Sequence, residues 1–169
     1  MAQQVGFTGS RLGFDDPNLV GSVVQSVVSA GHSVSVGCAR GVDSLVRRFA
    51  PRAKVFKIAS PGAGNGLSIA ASLAQRSQFM VSSCSVLVGF ASIPCPRKVS
   101  PSSHFCGGGS GTWASIAYAV AQGLQVFVFT SPGFSLPPWD GGEWLPAAPS
   151  GLWASAFTWV PFPSQLSLF

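Results

Sequence analysis

Three glycine-bearing turns stand where a short apolar strand gives way to a helical pattern. They are Gly6-Phe7-Thr8-Gly9-Ser10-Arg11, Gly37-Cys38-Ala39-Arg40-Gly41-Val42-Asp43 and Gly107-Gly108-Gly109-Ser110-Gly111-Thr112. Strand, glycine turn and helix, repeated along one chain, leave little besides a parallel sheet wrapped by helices. On one such sheet the turns converge at the carboxyl edge, where open α/β folds bind ligands. Small residues, hydroxyls and the arginines Arg11 and Arg40 in those turns suit a ligand that carries phosphate.

The rest of the chain fits the same alternation. Val5 to Thr8 reads as a first strand. Asp16 followed by Pro17 is a helix start, an acid at the N-cap and proline at the first helical position. Leu19, Val20, Val23, Val24, Val27 and Val28 recur at helical spacing until Gly31 ends the run. Ser33 to Gly37 is a second strand, and Val42, Leu45, Val46 and Phe49 make a short amphipathic helix that Pro51 stops. Lys54 to Ala59 is a third strand, Ser60 to Gly66 a loop, and Leu67 to Ser82 a helix. Ser85 to Phe90 is an unbroken apolar strand, as expected where both faces are covered. A long loop from Ala91 to Gly109 precedes a helix marked by Trp113, Ile116, Ala117, Val120 and Ala121. Gln125 to Thr130 is the fifth strand.

The predicted fold class is therefore α/β: a doubly wound parallel sheet of about five to six strands with helices on both faces. One domain is expected over residues 1–169, with its core at 4–131. The segment 132–169 is rich in Pro, Gly and Trp and reads as an irregular tail packing on that core, with one last strand at Phe157 to Val160. Its Trp139, Trp144, Trp153 and Trp159 read first as packing, with base stacking as the alternative.

Composition narrows the function classes. Hydrophobic residues make up 47% and charged residues 9%, the reverse of a disordered chain. No apolar run reaches the roughly 18 residues needed to span a bilayer. The start, Met1-Ala2-Gln3-Gln4, has neither a basic n-region nor an h-region, so the reading places the protein in the cytoplasm. All ten Lys and Arg lie between Arg11 and Lys98, which suits a polyanionic partner such as nucleic acid or a nucleotide. Cys38, Cys84, Cys95 and Cys106 form no C-x-x-C pair. Cys95, His104 and Cys106 share a loop but match no established zinc spacing, so no metal and no cofactor are assigned.

None of the turns is a standard nucleotide motif. The first does not fit G-x-G-x-x-G, and none ends in the Gly-Lys-Ser/Thr of a P-loop. The third has Thr112 where a dinucleotide loop has its last glycine. Their physics still favours an anion. Free N–H groups at Gly109, Ser110, Gly111 and Thr112 would point into the site at a helix N-terminus, and Gly108 would let the backbone approach a phosphate. Ser10, Ser110 and Thr112 donate hydroxyl hydrogen bonds, and Arg11 and Arg40 clamp anions bidentately. Asp43 is the acid nearest the turns. It reads as a cap or an arginine partner, or else as a general base or ribose ligand.

In order and wording these segments resemble the DNA-processing protein A (Smf) family. Gly9-Ser10-Arg11 looks like its Gly-Ser-Arg. Val36 to Asp43, with Gly37, Cys38, Ala39, Arg40 and Gly41, is similar to its Ser-Gly-x-Ala-Arg-Gly-Ile-Asp. Arg76-Ser77-Gln78-Phe79-Met80-Val81 looks like its Arg-Asn-Arg-Ile-Ile segment, and Ser110-Gly111-Thr112 like its Ser-Gly-Ser/Thr helix start. The likeness runs from Val5 to Phe129. It implies a Rossmann-like domain of the LOG-like (SLOG) superfamily, whose recombination mediators bind single-stranded DNA.

The resemblance implies a ligand site at Gly9, Ser10, Arg11, Gly37, Cys38, Ala39, Arg40, Gly41, Asp43, Arg76, Gly108, Gly109, Ser110, Gly111 and Thr112, with Arg76 on or behind the phosphate. Single-stranded DNA would be tracked by Arg11, Arg40, Arg47, Arg48 and Arg76. Two alternatives are a phosphoribohydrolase-like enzyme using Asp43 and a sensor of a small nucleotide-derived signal. The superfamily's phosphoribohydrolases carry a Glu-Glu pair just after their Gly-Thr. Here Gly111-Thr112 is followed by Trp113-Ala114-Ser115, with no carboxylate. A homodimer is expected from the apolar helix beginning at Trp113 and the aromatic tail. The Ala91–Gly109 loop, leading straight into the third turn, is expected to act as a lid.

Overall fold

A computed structural model describes residues 1–58 and 66–163. Seven strands form one sheet in the order β3-β2-β1-β4-β5-β7-β6. These are β1 (Gln4–Gly9), β2 (Ser33–Gly37), β3 (Lys54–Phe56), β4 (Val86–Ala91), β5 (Gln125–Thr130), β6 (Gly142–Pro146) and β7 (Ala156–Pro161). Strands β1 to β5 are parallel throughout. Four α-helices connect them: α1 (Pro17–Ser29), α2 (Val42–Phe49), α3 (Ile69–Ser82) and α4 (Gly111–Ala121). The doubly wound α/β reading holds.

Strand alternation sorts the core into two layers. Val5 and Phe7 of β1, Val34 and Val36 of β2, and Val86, Val88 and Phe90 of β4 face α1 and α2. Leu87, Ala91, Val126 and Val128 face α3 and α4. Period-two side chains on a sheet buried on both sides produce this division. Gly6 and Gly89 lie on the α3–α4 side. A Cβ on Gly89 would sit 2.7 Å from Ile116 Cδ1 of α4, and one on Gly6 would sit 2.9 Å from Cys84 Sγ. These two positions let the α3–α4 layer settle closely on the central strands.

The helix starts follow their local chemistry. Asp16 Oδ1 accepts from the Leu19 amide at 2.9 Å, with Pro17 at the first position of α1. Ser68 caps α3 through the Ala71 amide at 3.1 Å, so that helix begins at Ile69 and not at Leu67. β3 ends at Phe56, earlier than expected. The rest of that expectation reaches Ala59, which with most of the Ser60–Gly66 loop lies outside the described residues.

The C-terminal segment departs from the expected irregular tail. β7 spans Ala156–Pro161 and pairs antiparallel with β5, and β6 pairs antiparallel with β7. The parallel sheet is thus a mixed one. β6 was hidden because its sequence, Gly142-Glu143-Trp144-Leu145-Pro146, starts with glycine and ends with proline. Proline is tolerated there because β6 is an edge strand. The tryptophans of this segment pack on one another and on the core. Trp139 and Trp144 lie 5.7 Å apart and Trp144 and Trp159 5.2 Å, while Trp153 sits 5.2 Å from Phe127. Trp113, Ile116 and Ala117 of α4 are also fully covered, so the apolar surface expected to pair two copies is used within the chain.

Gly89→Ala should destabilise the fold by about 1–3 kcal/mol through overpacking against Ile116. The penalty should shrink in an Ile116→Val background, which removes the nearest atom. Urea denaturation of the four proteins of this cycle checks both points.

Candidate functional site

The strand order reverses between β1 and β4. From β1 the chain winds outward through β2 and β3, then returns to place β4 on the other side of β1. The connections leaving the ends of β1 and β4 therefore diverge and open a crevice at the carboxyl edge. Gly9 of the first turn and Ala91 and Ser92 after β4 stand on its two sides. The Ser92 hydroxyl donates to the Gly13 carbonyl at 2.9 Å and ties the two sides together.

The first and second turns are nested. The Val42 amide donates to the Ser10 carbonyl at 3.0 Å. Gly41 has φ +73°, and a Cβ there would lie 2.6 Å from the Arg11 backbone. Only glycine meets both demands at this point. The third turn is open instead. Gly109 has φ +96°, and neither it nor Gly111 would bring a Cβ within 4 Å of another residue. Ser110 caps α4 by accepting from the Trp113 amide at 3.2 Å. The next backbone amides, at Gly111 and Thr112, belong to the first helical turn and have no intrahelical acceptor.

The crevice encloses a cavity of about 670 Å³. Its floor and near wall are Thr8, Gly9, Ser10, Arg11 and Leu12, with Ala39 and Asp43 of the second turn and α2. Ala70, Ala71, Leu73, Ala74, Arg76 and Ser77 of α3 form one side. Gly107 to Ala114 form the far wall, joined by Ile93, Val99, His104 and Phe105 of the long loop. That loop is held at two carbonyls. Trp113 Nε1 donates to Ile93 at 2.8 Å, and Trp139 Nε1 donates to Val99 at 3.0 Å. The expected lid is thus braced by α4 and by the C-terminal segment.

Charge is concentrated under the second turn. Asp43 is 5% exposed, and its Oδ2 accepts from the Ala39 amide at 3.2 Å. Gly37 makes room for both Asp43 and Arg76, since a Cβ there would lie 2.5 Å from Asp43 Oδ2 and 2.9 Å from Arg76 Cζ. Burial pushes the Asp43 carboxyl above its ordinary value, against the opposing pull of Arg76, the Ala39 amide, Arg47 and Arg11. Arg76 Nη1 also donates to Cys38 Sγ at 3.4 Å. Burial raises the Cys38 thiol, but the Arg76 hydrogen bond and charge and the Ile58 and Cys38 backbone outweigh it, leaving the thiol below its ordinary value. Among the described residues, two covered nitrogens have no hydrogen-bond partner, Arg76 Nε and His104 Nδ1. Both residues line the cavity.

Of the expected site residues, Gly9, Ser10, Arg11, Ala39, Asp43, Arg76, Gly108, Gly109, Ser110, Gly111 and Thr112 share this cavity. Gly37, Cys38 and Gly41 lie outside its lining and act beneath it, as the room and the contact for Arg76 and as the nesting point of two turns. Arg40 is exposed and does not line the cavity. Arg47 is engaged with the Gly37 carbonyl at 2.8 Å, and Arg48 lies over the Phe49 ring. Two walls escaped the reading: the small-residue face of α3 and the His104-Phe105 pair. The alanines at 70, 71 and 74 and Ser77 follow helical spacing, which marks a face but not what it faces. Burial pushes the Cys95 thiol up to about 11, with Cys106 adding to the shift. Among the described residues, no group of three His, Cys, Asp or Glu is placed to hold a metal ion, and no helix is long and apolar enough to cross a membrane.

Strand order and crevice together define a Rossmann-like α/β protein with an open cavity at its switch point. No family model matches the chain, and no curated protein does. Among solved structures it is similar to DNA processing protein A from Helicobacter pylori, a structure described for its single-stranded DNA binding mode. The two superpose with a TM-score of 0.58 at 15% sequence identity, over 76% of this chain and 65% of that one. At that identity the likeness establishes the fold. The chain spans just under two thirds of its neighbour's length.

The raised pKa of Asp43 sets a direction for stability. The folded chain holds this proton more tightly than the unfolded chain. The stabilisation is fully present below the ordinary value of 3.8 and is lost as pH rises through the raised folded value. Asp43→Asn does not titrate. Its stability relative to wild type should therefore improve between about pH 3 and about pH 7, read from urea midpoints.

Proposed function

We propose that this protein binds single-stranded nucleic acid by seating a phosphate at Gly109–Thr112 in the cavity. The observation that carries this reading is the convergence of an open helix N-terminus with Arg11 and Arg76 on one cavity. Unpaired amides at the start of α4 and the positive end of its dipole favour an anion there. Ser10 and Thr112 supply hydroxyls at the same place. The likeness to a protein described for single-stranded DNA binding favours a polymer over a lone nucleotide. Arg11 and Arg40 are exposed on the same edge of the sheet, where a strand running past the cavity would meet them.

Fluorescence anisotropy with a labelled oligonucleotide tests this. Affinity should fall steeply with added salt as phosphate contacts are screened and counterions retained. Failure to bind at low salt removes the reading. Tight binding of one free nucleotide with no binding of oligonucleotides favours the sensor alternative. Gly111→Ala makes a sharper probe, because a Cβ there meets nothing within 4 Å in the protein. The variant should keep or gain stability, by about 0.4–1 kcal/mol, since it loses chain entropy on unfolding. It should nonetheless weaken oligonucleotide binding about tenfold, because the methyl group stands where the phosphate approaches.

A second reading rests on Asp43, which lines the cavity with its carboxyl pushed upward by burial. Such a carboxyl is placed to act as a general base toward a nucleoside phosphate. Base release from nucleoside monophosphates, lost in Asp43→Asn, would establish it. An inert wild type rules it out.

A further inference from the structure

The polar end of the cavity accounts for a phosphate but leaves its opposite part unexplained. That part is apolar, built from His104 and Phe105 of the long loop on one side and Ala70, Ala71 and Ala74 of α3 on the other. Resting on the phosphate reading above, we propose that this slot is a nucleobase subsite with Phe105 as its stacking surface. One base of the bound strand then enters the protein while its phosphate rests on the third turn.

Three observations carry the assignment. First, the two aromatic rings are held in place. His104 meets Tyr118 edge-on at 5.0 Å and Phe105 at 5.8 Å, and Phe105 meets Tyr118 at 6.0 Å. Tyr118 of α4 is itself hydrogen-bonded to Ser82 of α3 at 3.1 Å. The platform is therefore braced before any ligand arrives, which lowers the ordering cost of binding. Second, α3 presents small side chains to this slot, so a flat ring fits between helix and platform. Third, Phe105 precedes Gly109 by four residues, a stretch of chain that spans at most about 14 Å. A single sugar bridges a base on Phe105 and a phosphate on Gly109 within that reach. Every base has a π-face, so the slot accepts a base without requiring a particular sequence.

The test compares a deoxynucleoside 5′-monophosphate, deoxyribose 5-phosphate and inorganic phosphate by calorimetric titration of the full chain. The nucleotide should bind about tenfold or more tightly than the sugar phosphate, the range expected for one stacked base. Phe105→Ala should erase that preference and leave the affinity for deoxyribose 5-phosphate unchanged. Phe105→Tyr keeps a ring and should keep the preference, which separates stacking from damage to the loop. Equal affinities of wild type for nucleotide and sugar phosphate overturn the base subsite and leave the phosphate site standing. So does a Phe105→Ala effect of the same size on both. Binding of none of the three probes overturns the phosphate site and this subsite with it.

Discussion

The reversal of strand order between β1 and β4 is the constraint on which the rest of this molecule depends. Two chain segments leave neighbouring strands in opposite directions, and nothing in a parallel sheet fills the gap they leave. Everything chemically interesting here lines that gap. The first turn leaves β1, and the wall residues Ala91 and Ser92 follow β4. The second turn reaches the gap only by nesting on the first, through the Val42 amide and the tight backbone approach at Gly41. The third turn arrives from the long loop and starts α4 on the far side. The cavity is thus a consequence of topology, and the residues only decide what it can hold.

How much of this was legible in the sequence follows from the range of each cause. Caps, proline starts and glycine stops act within a few residues, so α1, α2 and α4 appear where Asp16-Pro17, Pro51 and Gly123 put them. The site's backbone turns were equally visible, because their glycines and hydroxyls are contiguous. The walls were not. The small face of α3 becomes a wall only when that helix is laid against the crevice. His104 and Phe105 become a platform only when Tyr118, thirteen or more residues on, meets them. Arg76 was found through family wording alone, since no local rule brings a mid-helix arginine under Gly37. β6 failed for a different reason: its glycine and proline argue against a strand, and only the protected position beside β7 overrides them.

The pairing of Asp43 with Arg76 beneath the second turn is a balance of opposed costs. A carboxylate at 5% exposure is penalised for its charge, and a guanidinium close by relieves part of that penalty. Neither group is fully satisfied, as the unpartnered Arg76 Nε shows. Sites that keep such charges tend to use them, because an apolar filling would hold the fold as well. An arriving anion would change the balance for both residues at once.

The hydrogen bond from the Trp139 indole to the Val99 carbonyl has a wider consequence. It spans forty residues and joins the last part of the chain to the wall of the crevice. The same C-terminal segment supplies β7, which covers the flank of β5 that a shorter chain would leave bare. The five parallel strands look like a self-sufficient unit, yet they could not be excised as one. A chain cut after Thr130 would lose both a sheet neighbour and a strut of its binding wall. The segment that looks most like an appendage is a buttress, and the minimal form of this fold is the longer one.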